Sequence, residues 1–272
     1  MYRVETLWES DERGGRLDRV IEGLVVGLLA FAPLAFGAVE AWSEQIVIAL
    51  AASISICFVL KKLVSRAAPV TRSWVYVPVM AFLLVVVIQL IPLPASFIRI
   101  VSPHTALLKT ELLEDVPNSS QVLSRLTFSF YAHATRHDLR MVLAVAAVFA
   151  VVLNVYRRPD QIQRLLLAIV IIGGAFALLS LAQTVVGSNK IYWLVPLPDE
   201  GIARSGPFVN HSHYGQFMNL SIGAALALVL VKLREAFGRS GTSPGRVADY
   251  LGSPDARGIW ALIGMMMLAT CP

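Results

Sequence analysis

Charge is scarce in this sequence. Asp, Glu, Lys and Arg make up 15% of its 272 residues, where a soluble domain carries about 25%. That deficit excludes an ordinary water-solvated globule. Cysteine is scarcer still: only Cys57 and Cys271 occur, far apart in the chain. A disulfide framework or a cysteine-based metal centre needs about four at short spacings, so both are excluded. Cys57 lies within an apolar run and reads as a small packing residue. The chain also lacks a glycine-rich phosphate loop of the nucleotide-binding kind. It has no platform of interleaved basic and aromatic residues, so its net charge of +5 and pI near 9.4 do not point to nucleic acid. No nucleic-acid partner is expected.

What is abundant is apolar length. Hydrophobic residues make up 56% of the chain and mean hydropathy is +0.67. Runs long enough to cross a hydrocarbon core, about 20 residues, recur near 20–38, 43–60, 74–92, 139–156, 163–187, 213–233 and 258–270. The expected fold is all-α: a polytopic transmembrane helix bundle of about seven spans, forming a single membrane domain over 1–272. A polar leader, "ESDERGGRLDR", precedes the first run. Ala30-Phe31-Ala32 imitates a cleavage signal, but the apolar run continues past it. An uncleaved first helix is therefore expected.

Orientation follows from the cations. With the N-terminus in the cytoplasm, the inner side receives the leader arginines, Lys61, Lys62, Arg66 and Arg72, the "YRRPDQIQR" arginines, and Lys232 to Arg257. The outer side keeps Arg99, Lys109, Arg125, Arg136, Arg140, Lys190 and Arg204. This is the bias that short loops show. All 5 histidines then fall outside or at the outer boundary, so polar chemistry is expected there. Three segments stand out. Residues 93–138 form an outer, periplasmic loop that opens with "IPLP", a helix breaker. It continues as "ASFIRIVSPHTALLKTELL", apolar at helical spacing and expected to lie on the membrane surface. Residues 188–212 form a second outer loop, with Tyr192 and Trp193 suited to headgroup depth. Residues 234–257, rich in Gly, Ser and Pro, form a flexible cytoplasmic loop.

The second outer loop ends in "RSGPFVNHSHYGQF", residues 204–217. Gly206-Pro207 forces a turn, and Asn210 or Ser212 can cap the helix that follows. A helix start carries unpaired N–H groups and partial positive charge, which suits an anion. Arg204 adds a planar fork that matches phosphate. His211 and His213 add donors or a base. A lipid diphosphate, with its tail in the bilayer and its phosphates at the interface, fits such a mouth. The bland reading is a helix cap with interfacial histidines.

"SGPFVNHSHYGQF" resembles the central motif of the O-antigen ligase / polysaccharide polymerase family, which reads G-x-F-x-N-x-N-H-x-A. "LAFGAVEAWSEQ", "QLIPLPASFIRIVSP", "LLLAIVIIGGAFALLSLAQ" and "KIYWLVP" are similar, in order, to other parts of that family. The similarity runs from about residue 16 onward. Ser212 stands where the motif has its second Asn, and Gly215 where it has Ala. The resemblance implies a glycosyltransferase in the bacterial cytoplasmic (inner) membrane. It would move a glycan from a polyprenyl-diphosphate carrier to a lipid A core or glycan acceptor on the periplasmic face. No cofactor, nucleotide sugar or metal is implied. The partners are then the lipid-linked glycan donor, the acceptor and membrane lipid. Arg204 and His213 are the catalytic candidates. Asn210, His211, Arg136 and Arg140 are the substrate-binding candidates, the last two at the outer end of the fourth span. Family members are longer, so the chain is expected to be an N-terminal portion that lacks a later periplasmic loop carrying His and Arg.

Other constellations are weaker. His133 and His137 stand at i, i+4, a possible metal pair with no carboxylate or Cys to join it. Glu22, Gln89, Asn154 and Gln183 lie near span ends and form no mid-membrane relay. Gly23 and Gly27 have small-xxx-small spacing, and Gly173-Gly174 permits a bend. Two other functions compete: a non-catalytic membrane subunit of an envelope polysaccharide assembly, and a transporter of lipid-linked glycan. The transporter would need charges lining a path and repeat symmetry.

Overall fold

A computed structural model describes residues 2–64, 70–115, 117–196, 205–237 and 244–270. In chain order the helices are α1 Tyr2–Leu34, α2 Ala41–Val64, α3 Tyr76–Leu90, α4 Ala95–Val101, α5 Pro103–Leu113, α6 Ser119–Val122, α7 Ala132–Val155, α8 Pro159–Val186, α9 His211–Phe237, α10 Pro244–Leu251 and α11 Arg257–Thr270. Two minimal antiparallel pairs accompany them. β1 (Leu93–Pro94) pairs with β2 (Arg125–Leu126), and β3 (Lys190–Ile191) with β4 (Val195–Pro196). The all-α architecture matches the apolar periodicity. Among the described residues α2, α7, α8 and α9 are long and apolar enough to cross a membrane, while Tyr76–Leu90 and Arg257–Leu268 are shorter apolar stretches.

The helix ends follow local chemistry. α8 starts on Pro159, where a missing N–H costs nothing. Gln161 folds back so that its Oε1 accepts from the N–H of Arg158 at 3.2 Å. The same helix stops at Gly187, whose φ of +66° is the left-handed cap position. α4 and α5, the apolar stretch after "IPLP", break at Ser102-Pro103. Within 234–257 the chain forms α10 and a short 3-10 turn, Pro254–Ala256. Trp260 Nε1 donates to Leu251 O at 2.8 Å across that turn.

The chain divides into two compact units. One comprises 1–68 and 151–272, the other 69–150. In the first, α1 packs along α2, burying Ile21, Val25, Val47, Ala51 and Ile54. α8, the most enclosed of the long helices, contacts α1, α9 and α11. Its core with α9 and α11 holds Ile169, Val170, Ala224, Ala225, Leu228 and Leu262. Large apolar side chains such as Ile56, Leu63, Ile171, Leu178 and Leu230 face outward. That surface suits lipid contact. In the second unit Ile98 and Ala106, from α4 and α5, close on Leu126 of β2.

Without a hydrophobic drive between helices in lipid, close backbone approach has to hold them together. Gly173 provides it. A Cβ there would lie 2.1 Å from Ser221 Oγ and 2.5 Å from Ser221 Cβ. The Ser221 hydroxyl donates to Phe217 O at 3.0 Å within α9. Gly23 and Gly27 have no such neighbour, since an added Cβ at either meets nothing within 4 Å. Gly173→Ala is expected to destabilise the protein by about 1–3 kcal/mol through overpacking. Adding Ser221→Gly should recover most of that loss in a detergent melting experiment. A Gly173→Ala protein that melts like the wild type would disprove the contact.

Candidate functional site

The 204–217 stretch divides into a buried anchor and an exposed turn. Arg204 lies outside the described residues. Ser205, Gly206, Pro207 and Phe208 are all buried. Ser205 Oγ donates to Phe208 O at 2.8 Å, closing a tight loop. Gly206 sits at φ +55°, and a Cβ there would come within 3.1 Å of the Phe176 carbonyl. Only glycine meets both demands. The Phe208 ring meets Phe176, Tyr214 and Phe217 at centroid distances of 6.3, 6.2 and 6.0 Å. These edge-on and tilted contacts fix the loop against α8 and the first turns of α9.

The exposed turn begins at Asn210, which is the cap. Its Oδ1 accepts from the N–H of Ser212 at 2.8 Å, and its own carbonyl accepts from the N–H of His213 at 3.1 Å. Asn210 therefore takes up the N–H groups of Ser212 and His213, two of those otherwise open to an anion. The Asn210 amide nitrogen, His211 and His213 remain exposed at the surface. Neither histidine ring makes a side-chain hydrogen bond among the described residues. The structure thus brings Asn210, His211 and His213 together on one turn. Arg136 and Arg140 are exposed on α7, four residues apart and so on one face, in the other unit. His137 Nδ1 lies 3.6 Å from Asp138 Oδ1, and the His133 ring 5.9 Å from that of Tyr131.

Two further segments frame the turn. Between α1 and α2 the chain passes through Phe36, Gly37 and Ala38, all at positive φ. A Cβ on Gly37 would lie 3.3 Å from the Phe208 ring, so this turn rests on the anchor. The β3–β4 hairpin carries Tyr192 and Trp193, also at positive φ. Tyr192 is half-buried and bonded within the fold. Its hydroxyl donates to Leu34 O at 2.9 Å and its ring meets Phe36 edge-on. Those contacts offset a backbone conformation that costs about 1–3 kcal/mol per residue. Gln183, fully buried at the end of α8, donates from Nε2 to Lys190 O at 3.1 Å and holds the hairpin's base. Its Oε1 has no partner among the described residues.

Several polar groups carry more structure than their sequence context signals. At the opposite end of the first unit, Glu22 of α1 accepts from Arg164 at 3.0 Å and from Gln161 Nε2 at 2.9 Å. Asp160 also pairs with Arg164 at 3.0 Å, and Lys61 with Asp18. The Asp160–Arg164 spacing of four residues was the only hint of this network in the sequence. In the second unit Lys109 is almost completely buried. Its ammonium donates to Thr127 O (2.8 Å), Thr127 Oγ1 (2.9 Å) and Ser129 O (2.6 Å). All three donors are used, and burial lowers its pKa below the ordinary lysine value. No spacing in the sequence marks Lys109. It floors a cavity of about 330 Å³ that also includes Arg125, Phe130 and Tyr131.

Searches against protein-family models, characterised proteins and solved structures find no match to this chain.

Burial raises the Tyr192 hydroxyl to about 12. The unfolded state ionises near 10, so this group's stabilisation is intact below that pH and is lost as pH climbs through about 12. Tyr192→Phe should remove one late-titrating tyrosine from the tyrosinate absorbance titration. Lys109→Met removes the ammonium from two carbonyls and a hydroxyl and leaves Ser129 O with the Thr127 hydroxyl as its donor, at a cost of about 2 kcal/mol. Hydrogen exchange should quicken around Thr127–Ser129 in that variant. Unchanged protection there would show that the ammonium does not hold the loop.

Proposed function

We propose that the protein is a membrane glycosyltransferase of the O-antigen ligase / polymerase type. In this reading about seven spans place the N-terminus in the cytoplasm of a bacterial inner membrane and the α9 start on the periplasmic face. The observation that carries it is the exposed Asn210–His213 turn held rigidly by a fully buried Ser205–Phe208 anchor. A mere helix cap needs Asn210 alone. It does not need a four-residue plug, a left-handed glycine and a cluster of four aromatic rings.

The chemistry follows from the donor set. A glycan on a polyprenyl diphosphate presents its anomeric carbon at the interface. The acceptor hydroxyl oxygen attacks that carbon and the bond to the diphosphate oxygen breaks. The diphosphate leaves with the electron pair. Arg204 and the Asn210 amide stabilise the charge that develops on it, with His211 as an additional donor. His213 takes the acceptor's proton. Arg136 and Arg140 offer a second cationic pair for phosphate on their own unit. Polarised donors at the leaving group supply the largest share of the rate.

A non-catalytic subunit that only holds the lipid-linked glycan is the second reading. It is favoured by the lack, among the described residues, of any group that orients either histidine ring, as a working base requires.

Reconstituted protein is tested with a polyprenyl-diphosphate glycan and a hydroxyl acceptor. Arg204→Ala or His213→Ala is expected to lower transfer by about 100-fold or more, with an unchanged melting midpoint. Full transfer by both variants would place the reaction elsewhere. Donor binding without transfer by the wild type would favour the subunit. Movement of lipid-linked glycan between leaflets would instead mark a transporter.

A further inference from the structure

A cavity of about 530 Å³ lies at the end of the first unit opposite the motif, between α8, α9 and α11. Its floor is apolar: Leu167, Leu228, Leu262 and Met265. Leu228 and Leu262 belong to the helix core, while Leu167 is 46% exposed. Its rim is polar: Lys232, Arg164, Gln163 and Asp160. The cavity thus grades from core to charge along the helix axes. That is the profile of a lipid, with a chain against the floor and a headgroup at the rim.

The charges at the rim are not equivalent. Arg164 is already engaged by Glu22 and by Asp160. Gln163 donates to Glu235 at 3.2 Å. Lys232 is different. Its stem lies across Gly258, where an added Cβ would meet Lys232 Cε at 3.3 Å and Nζ at 3.6 Å. Gly258 lets the lysine lie flat over the start of α11. The ammonium is exposed at the mouth and meets no carboxylate among the described residues. A cation at the mouth of an apolar cavity, beside a second cation whose charge is shared between two carboxylates, suits an anion that brings its own apolar chain.

We propose that this cavity binds an anionic phospholipid, with the headgroup phosphate on Lys232 and an acyl chain along the Leu167–Met265 floor. Basic pockets between membrane helices take anionic headgroups in this way, and each cation near the surface favours them. A zwitterionic lipid would gain the floor, but its own choline cation offsets its phosphate beside Lys232 and Arg164. Free phosphate would gain the ammonium but not the floor. This site does not depend on the glycosyltransferase reading, because it shares no residue with the 204–217 stretch.

The test is binding of phosphatidylglycerol and phosphatidylcholine to the purified protein in detergent, read by native mass spectrometry and by the melting midpoint. Phosphatidylglycerol is expected to bind more tightly and to raise the midpoint. Lys232→Gln should weaken it about fivefold, Lys232→Arg should restore it, and phosphatidylcholine binding should change much less with either substitution. Ala261 is exposed at the cavity edge. Ala261→Phe keeps every charge, fills the floor and should weaken phosphatidylglycerol as well. Equal binding of the two lipids by the wild type would overturn the proposal, whatever the variants do. So would phosphatidylglycerol affinity that neither variant changes. Protection by inorganic phosphate alone would identify a simple anion site and overturn the lipid assignment.

Discussion

Helix α9 lies where it does because residue 173 has no side chain. Any larger residue would drive a Cβ into Ser221, and α8 and α9 would separate. Everything of functional interest in the first unit hangs on that approach. One end of α9 carries the Asn210–His213 turn. The other end carries Lys232, over the cavity shared with α8 and α11. In lipid, apolar side chains gain little by meeting one another, so tight contact between small residues decides which helices pair. Gly173 and Ser221 supply that contact, and Ala224 and Ala225 continue it along the core.

The two ends of the unit are built on opposite principles. At the motif end the structure is fixed by rings and glycine geometry. Phe176, Phe208, Tyr214 and Phe217 pack together, and Gly206 and Gly37 adopt conformations that a side chain would strain. Polar groups also tie this end together, with Gln183 under the hairpin and Tyr192 on Leu34. At the other end the structure is fixed by charge. Glu22, Asp160, Gln161 and Arg164 bond α1 to α8, and Lys61 joins α2 through Asp18. Carboxylates that near an apolar region are expensive unless paired. Among the described residues Glu22, Asp160 and Asp18 are each paired in this way, while Lys232 meets no carboxylate.

The second unit solves a different problem. A loop leaving α3 at Ile91-Pro92 must satisfy its backbone without a long helix. It does so with the two-residue β1–β2 pair and with a buried lysine. Three donors of one ammonium bond the Thr127–Ser129 segment. Ser129 N–H in turn bonds Gln89 O at 2.9 Å at the end of α3. A carboxylate partner would fix one position. An ammonium with three acceptors fixes a whole turn.

The amino-acid sequence by itself determined the class. Apolar runs, the lack of charge and the helix break at Pro92 depend only on local composition and backbone sterics. For that reason the long helices were legible without coordinates. Asn210 as a cap was legible for the same reason, since capping reaches only two residues. What the tertiary structure alone decided is which groups meet across the fold. Glu22 finds Arg164 from 142 residues away, and Phe208 finds Phe176 and Gly37. Tyr192 turns inward to Leu34, and Lys232 comes to rest on Gly258. No local rule encodes those meetings, because each depends on how close two helix backbones can come. That distance is set by single residues such as Gly173, whose effect is invisible until the partner helix is in place.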